Sequence, residues 1–395
     1  MIAPDYKAPE SVTRVQQRAF AVGGIALLLG ISGALRSPEA FYQSYLMSFL
    51  LVLGLTLGSL GLLMLQHLTS GHWGIIIRRS LESATRTLPL LVILYLPIAV
   101  FGMKYLYRAW LDPEELRKEP LSQFQQGYLT HSGYLVRAVI YFALWLALMF
   151  IFNILSKQQD TNQADRALRF RLKMLAGPGI ILYVFVMTFA SIDWVMSLSP
   201  HWASTIYGFL FVAGQLISSL SLMIAVVVLL ARTEPFISVL QKRHLHDLGK
   251  LLLAFVMLWA YFDFSQLLII WSGNQPEEIT FYRTRLYGGW GVVAVIVLVF
   301  HFFVPFFLLL SQGVKRNSKV LPRIAVWLIF MRLVDLFWMT RPEFTARAMP
   351  TWLDLVLPIA LGGLWLGFFT FNLKQCPLLP LGDPDLAEAI EHHEH

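Results

Sequence analysis

The sequence predicts an all-α integral membrane protein with about ten transmembrane helices, and three observations carry that reading. Apolar blocks of roughly 20 residues, enough to cross about 30 Å of hydrocarbon, recur along the whole chain. Only 14% of the 395 residues are charged and 57% are hydrophobic, whereas soluble chains carry about 25% charge. The alternating segments of about ten residues that build an outer-membrane barrel are absent. A helix satisfies its own backbone polar groups in hydrocarbon, so helices are the expected spanning element.

The blocks place ten spans at 19–35, 45–66, 87–107, 134–155, 177–198, 203–231, 248–272, 286–311, 320–339 and 351–373. The sixth and eighth exceed the minimum length, which predicts tilt or projection beyond the bilayer. The chain thus divides into an N-terminal segment 1–18, a membrane domain 19–373 and a tail 374–395. Met1 to Gln17 is polar and contains Pro4, Asp5, Pro9 and Glu10. It lacks the basic-then-apolar order of a cleavable leader, so the first span is expected to stay.

Orientation follows from Lys and Arg. The N-terminus, the even-numbered loops and the tail hold about 18 of them, including Arg78, Arg79, Arg86, Lys157, Arg166, Arg169, Arg171 and Lys173. The odd-numbered loops hold about 8. Both termini are therefore expected in the cytoplasm, with Ser199 to Trp202 and Asn274 to Arg285 outside. The longest outer loop, Arg108 to Gly133, contains Asp112-Pro113-Glu114-Glu115, the start of a short helix with Pro at its first position and acids toward its dipole. The tail from Pro377 reads as solvated, and its His392, His393 and His395 as a weak metal ligand at most.

Ionisable residues inside spans are the strongest functional clues, because each costs roughly 2.5–3.5 kcal/mol to insert. Asp193 closes span 5, with His201 and Trp202 just beyond it. On span 7, Asp263 and Gln266 share one helical face, and Tyr261 and Ser265 another. Span 8 holds His301. Span 9 holds Arg332 and Asp335, three apart, which reads as an intrahelical ion pair that offsets its own cost. Asp193, Asp263, His301 and Asp335 are candidates for a proton path. His201, Trp202, Tyr261 and Gln266 are candidates for an outer-face quinone contact. Asp263 has no partner within its own span, so it is either a neutral packing group or a proton carrier.

Several functions are excluded. The net charge of +7 is spread over many short loops, not gathered into the basic stripe of a nucleic-acid binder. The single Cys376 rules out a cysteine-ligated iron–sulfur cluster within this chain. Bis-histidine haem ligation needs two histidines deep in facing spans. Only His301 is so placed, which leaves a single axial histidine open; His67, His72, His131, His201, His244 and His246 fall in loops or near ends. No covalent or metal-ligated cofactor is expected, and no phosphate-cradling loop or zinc-spaced cluster stands out.

Several motifs nevertheless resemble a known family. They are Ser191-Ile192-Asp193-Trp194-Val195-Met196-Ser197-Leu198 with Pro200-His201-Trp202 and Ser204-Thr205; His246-Asp247-Leu248-Gly249-Lys250; Trp259-Ala260-Tyr261 with Phe264-Ser265-Gln266; and Ile270-Trp271 with Asn274 and Pro276-Glu277-Glu278. In this order they look like the ActF-type membrane subunit of bacterial alternative complex III, within the wider NrfD/polysulfide-reductase membrane family. The motifs span about residues 191 to 290.

The resemblance implies two four-helix bundles plus two peripheral helices in the bacterial inner membrane. It implies a non-redox subunit of a quinol:cytochrome c, or other high-potential acceptor, oxidoreductase. Its partners would be a second NrfD-like subunit and periplasmic iron–sulfur and multihaem cytochrome c subunits, with a terminal oxidase left open. Its ligands would be quinone or quinol and lipids. His246, Asp247 and Lys250 would form a cytoplasmic-side motif. The sequence departs from the pattern at Asp263, where many relatives have an apolar residue. Assembly with proton conduction, direct quinone binding, an independent proton-coupled transporter and a pure scaffold all stay open at this point.

Overall fold

A computed structural model describes residues 6–161, 166–383 and 386. Among the described residues every regular element is helical. The ten long helices are α1 (Glu10–Arg36), α2 (Pro38–Thr69), α3 (Trp73–Leu106), α4 (His131–Thr161), α5 (Ala167–Leu198), α6 (Tyr207–Leu230), α7 (Lys242–Gly273), α8 (Trp290–Leu310), α9 (Leu321–Thr340) and α10 (Leu353–Leu373). All but α9 are long and apolar enough to cross a membrane, nine among the described residues. α9 falls short because Arg323, Arg332 and Asp335 interrupt its 20 residues. The chain is a multi-pass membrane protein.

Packing divides the helices into two closed rings of four. In the first, α2 meets α3, α3 meets α4, α4 meets α5, and α5 returns to α2. In the second, α6 meets α7, α7 meets α8, α8 meets α9, and α9 returns to α6. α2 joins the rings through α6 and α9, and it is buried around its whole circumference. A helix apolar on every side belongs in such an interior. α1 and α10 pair with each other at the periphery, against α2. This is the arrangement of two bundles plus two peripheral helices.

The α1–α10 pair depends on close backbone approach. Ala19, Gly23, Ala26, Gly30 and Gly33 are the buried small residues of α1, the small-residue stripe by which helices associate in lipid. A Cβ on Gly23 would lie 2.7 Å from the Leu364 backbone nitrogen, and one on Gly363 2.7 Å from the Gly23 Cα. Gly23→Leu is expected to cost about 1–3 kcal/mol by overpacking, read as a lower unfolding temperature in mild detergent. Gly24→Leu is the control, because a Cβ at Gly24 meets nothing within 4 Å.

The two ends of the molecule gather the loops as alternate crossing requires. At one end, loops after odd-numbered helices touch: Gln125 Nε2 donates to the Pro200 carbonyl at 2.5 Å, and Arg285 pairs with Glu343 at 2.7 Å. The expected short helix in the first long loop forms at Pro113–Lys118, with the Asp112 carboxylate accepting from the Glu114 amide at 2.9 Å. At the other end, the Leu378 amide donates to the Tyr6 carbonyl at 2.9 Å.

That second end corrects two expectations. Arg78 and Arg79 are not loop charges: α3 begins well before position 87, and both arginines are buried within it. Glu82 pairs with Arg78 at 3.1 Å and with Arg79 at 2.6 Å, while Ser156 Oγ donates to it at 2.6 Å. Nor is the tail free from Pro377. Leu378 and Leu379 are buried, and Asp383 pairs with Arg78 at 2.5 Å. The three tail histidines lie outside the described residues.

Candidate functional site

Span-level clues resolve into two separate places. Asp193, fully buried near the end of α5, belongs to the first ring. Arg137 of α4 grips its carboxylate with two bonds, Nε to Oδ2 at 2.8 Å and NH2 to Oδ1 at 2.9 Å. Tyr141 adds a third donor at 2.7 Å. Arg137 in turn donates to the Tyr128 carbonyl at 2.9 Å and lies 3.9 Å from that ring's centroid. Burial, reinforced by the Asp193 charge, pushes the Tyr128 phenol up to about 12. This constellation holds α4, α5 and the long loop together.

Asp263, His301 and Asp335 collect instead in the second ring. A cavity of about 630 Å³ opens between α7, α8 and α9, with Trp259, Tyr261, Asp263, Tyr282 and Asp335 on its wall. Most of the remaining lining is apolar, including Phe264, Phe302 and Phe303. Tyr261 is 65% exposed and Phe264 61%. On a spanning helix such exposure faces hydrocarbon, so the cavity has a lateral opening. Among the described residues no side chain hydrogen-bonds Asp263, whose exposure is intermediate.

Asp335 is buried and paired with Arg332, as their spacing predicts. Gly214 of α6 makes room for that pair: a Cβ there would lie 2.3 Å from the Arg332 Cζ. His301 sits behind the wall, its ring 4.5 Å from that of Trp259. It is fully buried, and neither ring nitrogen has a hydrogen-bond partner among the described residues, an arrangement that costs about 1–3 kcal/mol. α8 is locally π-helical at Leu298–Phe303, just before Pro305. Proline removes a helical hydrogen bond, and π-turns of this kind often mark functional places in a helix.

The four quinone candidates are not brought to one place. Tyr261 lines the lateral cavity. Gln266 is buried beside it, accepting from Ser204 Oγ at 3.0 Å and donating to the Tyr282 hydroxyl at 3.3 Å. Burial and the Asp263 charge push the Tyr282 phenol upward, which keeps it protonated. His201 and Trp202 line a different pocket, about 780 Å³, at the end of the odd-numbered loops. There His201 Nε2 lies 3.6 Å from Glu119, and Trp202 stacks on Phe281 at 3.8 Å.

Of the motif at the other end, Lys250 pairs with Asp247 at 3.2 Å on the surface, and His246 Nδ1 is buried without a hydrogen-bond partner among the described residues. No group of three or more His, Cys, Asp or Glu side chains among the described residues is placed to hold a metal ion. No protein-family model and no curated protein matches the chain. Sequence reasoning missed Arg137, although an arginine inside the span 134–155 already signalled a buried acid on another helix.

Proposed function

We propose that the chain is the ActF-type, non-redox membrane subunit of a quinol-oxidising respiratory complex, and that its second ring carries protons. The quoted motifs and the pairing of two four-helix rings support the family reading. One observation supports the proton role: Asp263, a carboxylate with no side-chain partner among the described residues, shares a lateral cavity with Asp335, and His301 packs against Trp259 of its wall. Both termini lie in the cytoplasm in this reading. The second NrfD-like subunit, iron–sulfur protein and multihaem cytochrome c supply the redox centres, with or without a terminal oxidase.

The cavity favours a second reading, direct quinone binding. Its apolar walls suit a prenyl tail, and Asp263 on its wall is a carboxylate of the kind that serves as a general base for a quinol hydroxyl. One variant separates the readings. In a complex isolated through a tag on this subunit, Asp263→Asn is expected to leave subunit composition and haem content unchanged. Proton movement coupled to turnover should fall by about 10²-fold, the lower end of what a positioned proton-transfer group contributes. A raised KM for quinol with normal proton stoichiometry selects the quinone reading. Unchanged turnover and stoichiometry overturn both roles for Asp263, and isolation of the chain without any redox partner overturns the complex.

A further inference from the structure

A second groove, away from the Asp263 cavity, has the chemistry of a lipid site. It lies between the C-terminal part of α6 and the N-terminal part of α9, encloses about 590 Å³, and is walled by Ala225, Val228, Leu229, Val326, Trp327 and Phe330. Leu229 is 79% exposed and Phe330 50%, so the groove is open to hydrocarbon along its length. Two cations, Lys319 and Arg323, line it at the end of the molecule where the even-numbered loops gather. Both are exposed, and no acidic side chain among the described residues pairs with either.

The order of these residues along α9 matches an amphiphile. Phe330 follows Arg323 by two helical turns, about 10 Å deeper at 1.5 Å per residue. A phosphate at Lys319 and Arg323 thus places its acyl chain along Val326, Trp327 and Phe330. The aromatic wall is fixed, because Trp327 Nε1 donates to the Phe300 carbonyl of α8 at 2.9 Å. Next to Lys319 in the chain, Asn317 and Ser318 border a second pocket, of about 410 Å³, that carries Lys242 and Arg316. Positive pockets at the membrane surface between helices recruit anionic headgroups.

We propose that the α6–α9 groove binds an acidic phospholipid, its phosphate on Lys319 and Arg323 and one acyl chain along Val326, Trp327 and Phe330. This site is independent of the respiratory reading.

The test is a thermal-shift titration of the purified, delipidated full chain in neutral detergent. Phosphatidylglycerol is expected to raise the unfolding temperature saturably, and neither phosphatidylcholine nor inorganic phosphate should do so. Lys319→Gln/Arg323→Gln should weaken the apparent affinity roughly 30-fold, the combined effect of two interfacial cations. Both residues are exposed, so the variant is expected to fold. Ala225→Trp, which fills the groove and leaves the cations in place, should abolish the shift. An equal shift with phosphatidylcholine, a shift reproduced by phosphate alone, or full response in either variant overturns the proposal.

Discussion

Arg137→Met is expected to cost about 3–5 kcal/mol, the penalty for removing one partner of a buried ion pair. The asymmetry of the pair makes the prediction sharp. Asp193 is fully buried, whereas Arg137 retains 20% of its side-chain exposure. Without Arg137 the carboxylate keeps only the Tyr141 hydroxyl among its side-chain donors in the described residues. Without the carboxylate, the guanidinium still has the Tyr128 carbonyl and a route to water. Asp193→Asn should therefore cost less, about 1–3 kcal/mol, and Arg137→Met/Asp193→Asn should recover most of the loss.

The order of the unfolding temperatures of the three variants in mild detergent, read at one scan rate, checks this. Equal effects of the two single substitutions would sink the assignment of Asp193 as an anchor. Loss of proton movement in a stable Asp193→Asn complex would put Asp193 on the proton path.

The fold was legible because it rests on the coarsest signal, blocks of apolar residues of spanning length. Even α9 was visible, although its charges keep it below the apolar standard the other nine helices meet. The mistakes occurred where charge is buried instead of solvated. Arg78 and Arg79 read as loop residues because an arginine next to an apolar block usually marks its end. Here Glu82, one turn on, together with Ser156 and Gln159 of α4, lets the helix continue. Such partners are distant in sequence, and no periodicity announces them.

The same limit applies to the sites. Arg332 and Asp335 were legible as a pair because both belong to one helix. The bidentate bond of Arg137 to Asp193 joins two helices across 56 positions and was not. Nor does spacing show that Gly214 clears space for Arg332, or that Tyr261 and His201, both near outer-face motifs, line different pockets.

The Arg332–Asp335 pair allows stability and proton movement to be separated. Arg332→Leu leaves Asp335 buried beside the cavity without its cation and is expected to cost about 3–5 kcal/mol. Arg332→Leu/Asp335→Leu removes both charges, and apolar replacement of a buried pair is commonly neutral or stabilising. Leucine is also smaller than arginine, so the space left by Gly214 tolerates it. The double variant should therefore melt within about 1 kcal/mol of the parent on the scale of neutral hydrogen-bond replacements. If Asp335 relays protons with Asp263 and His301, that stable double variant will still have lost proton movement. If it retains both stability and proton movement, the pair only reconciles two charges with the membrane interior. The path must then run from Asp263 without Asp335.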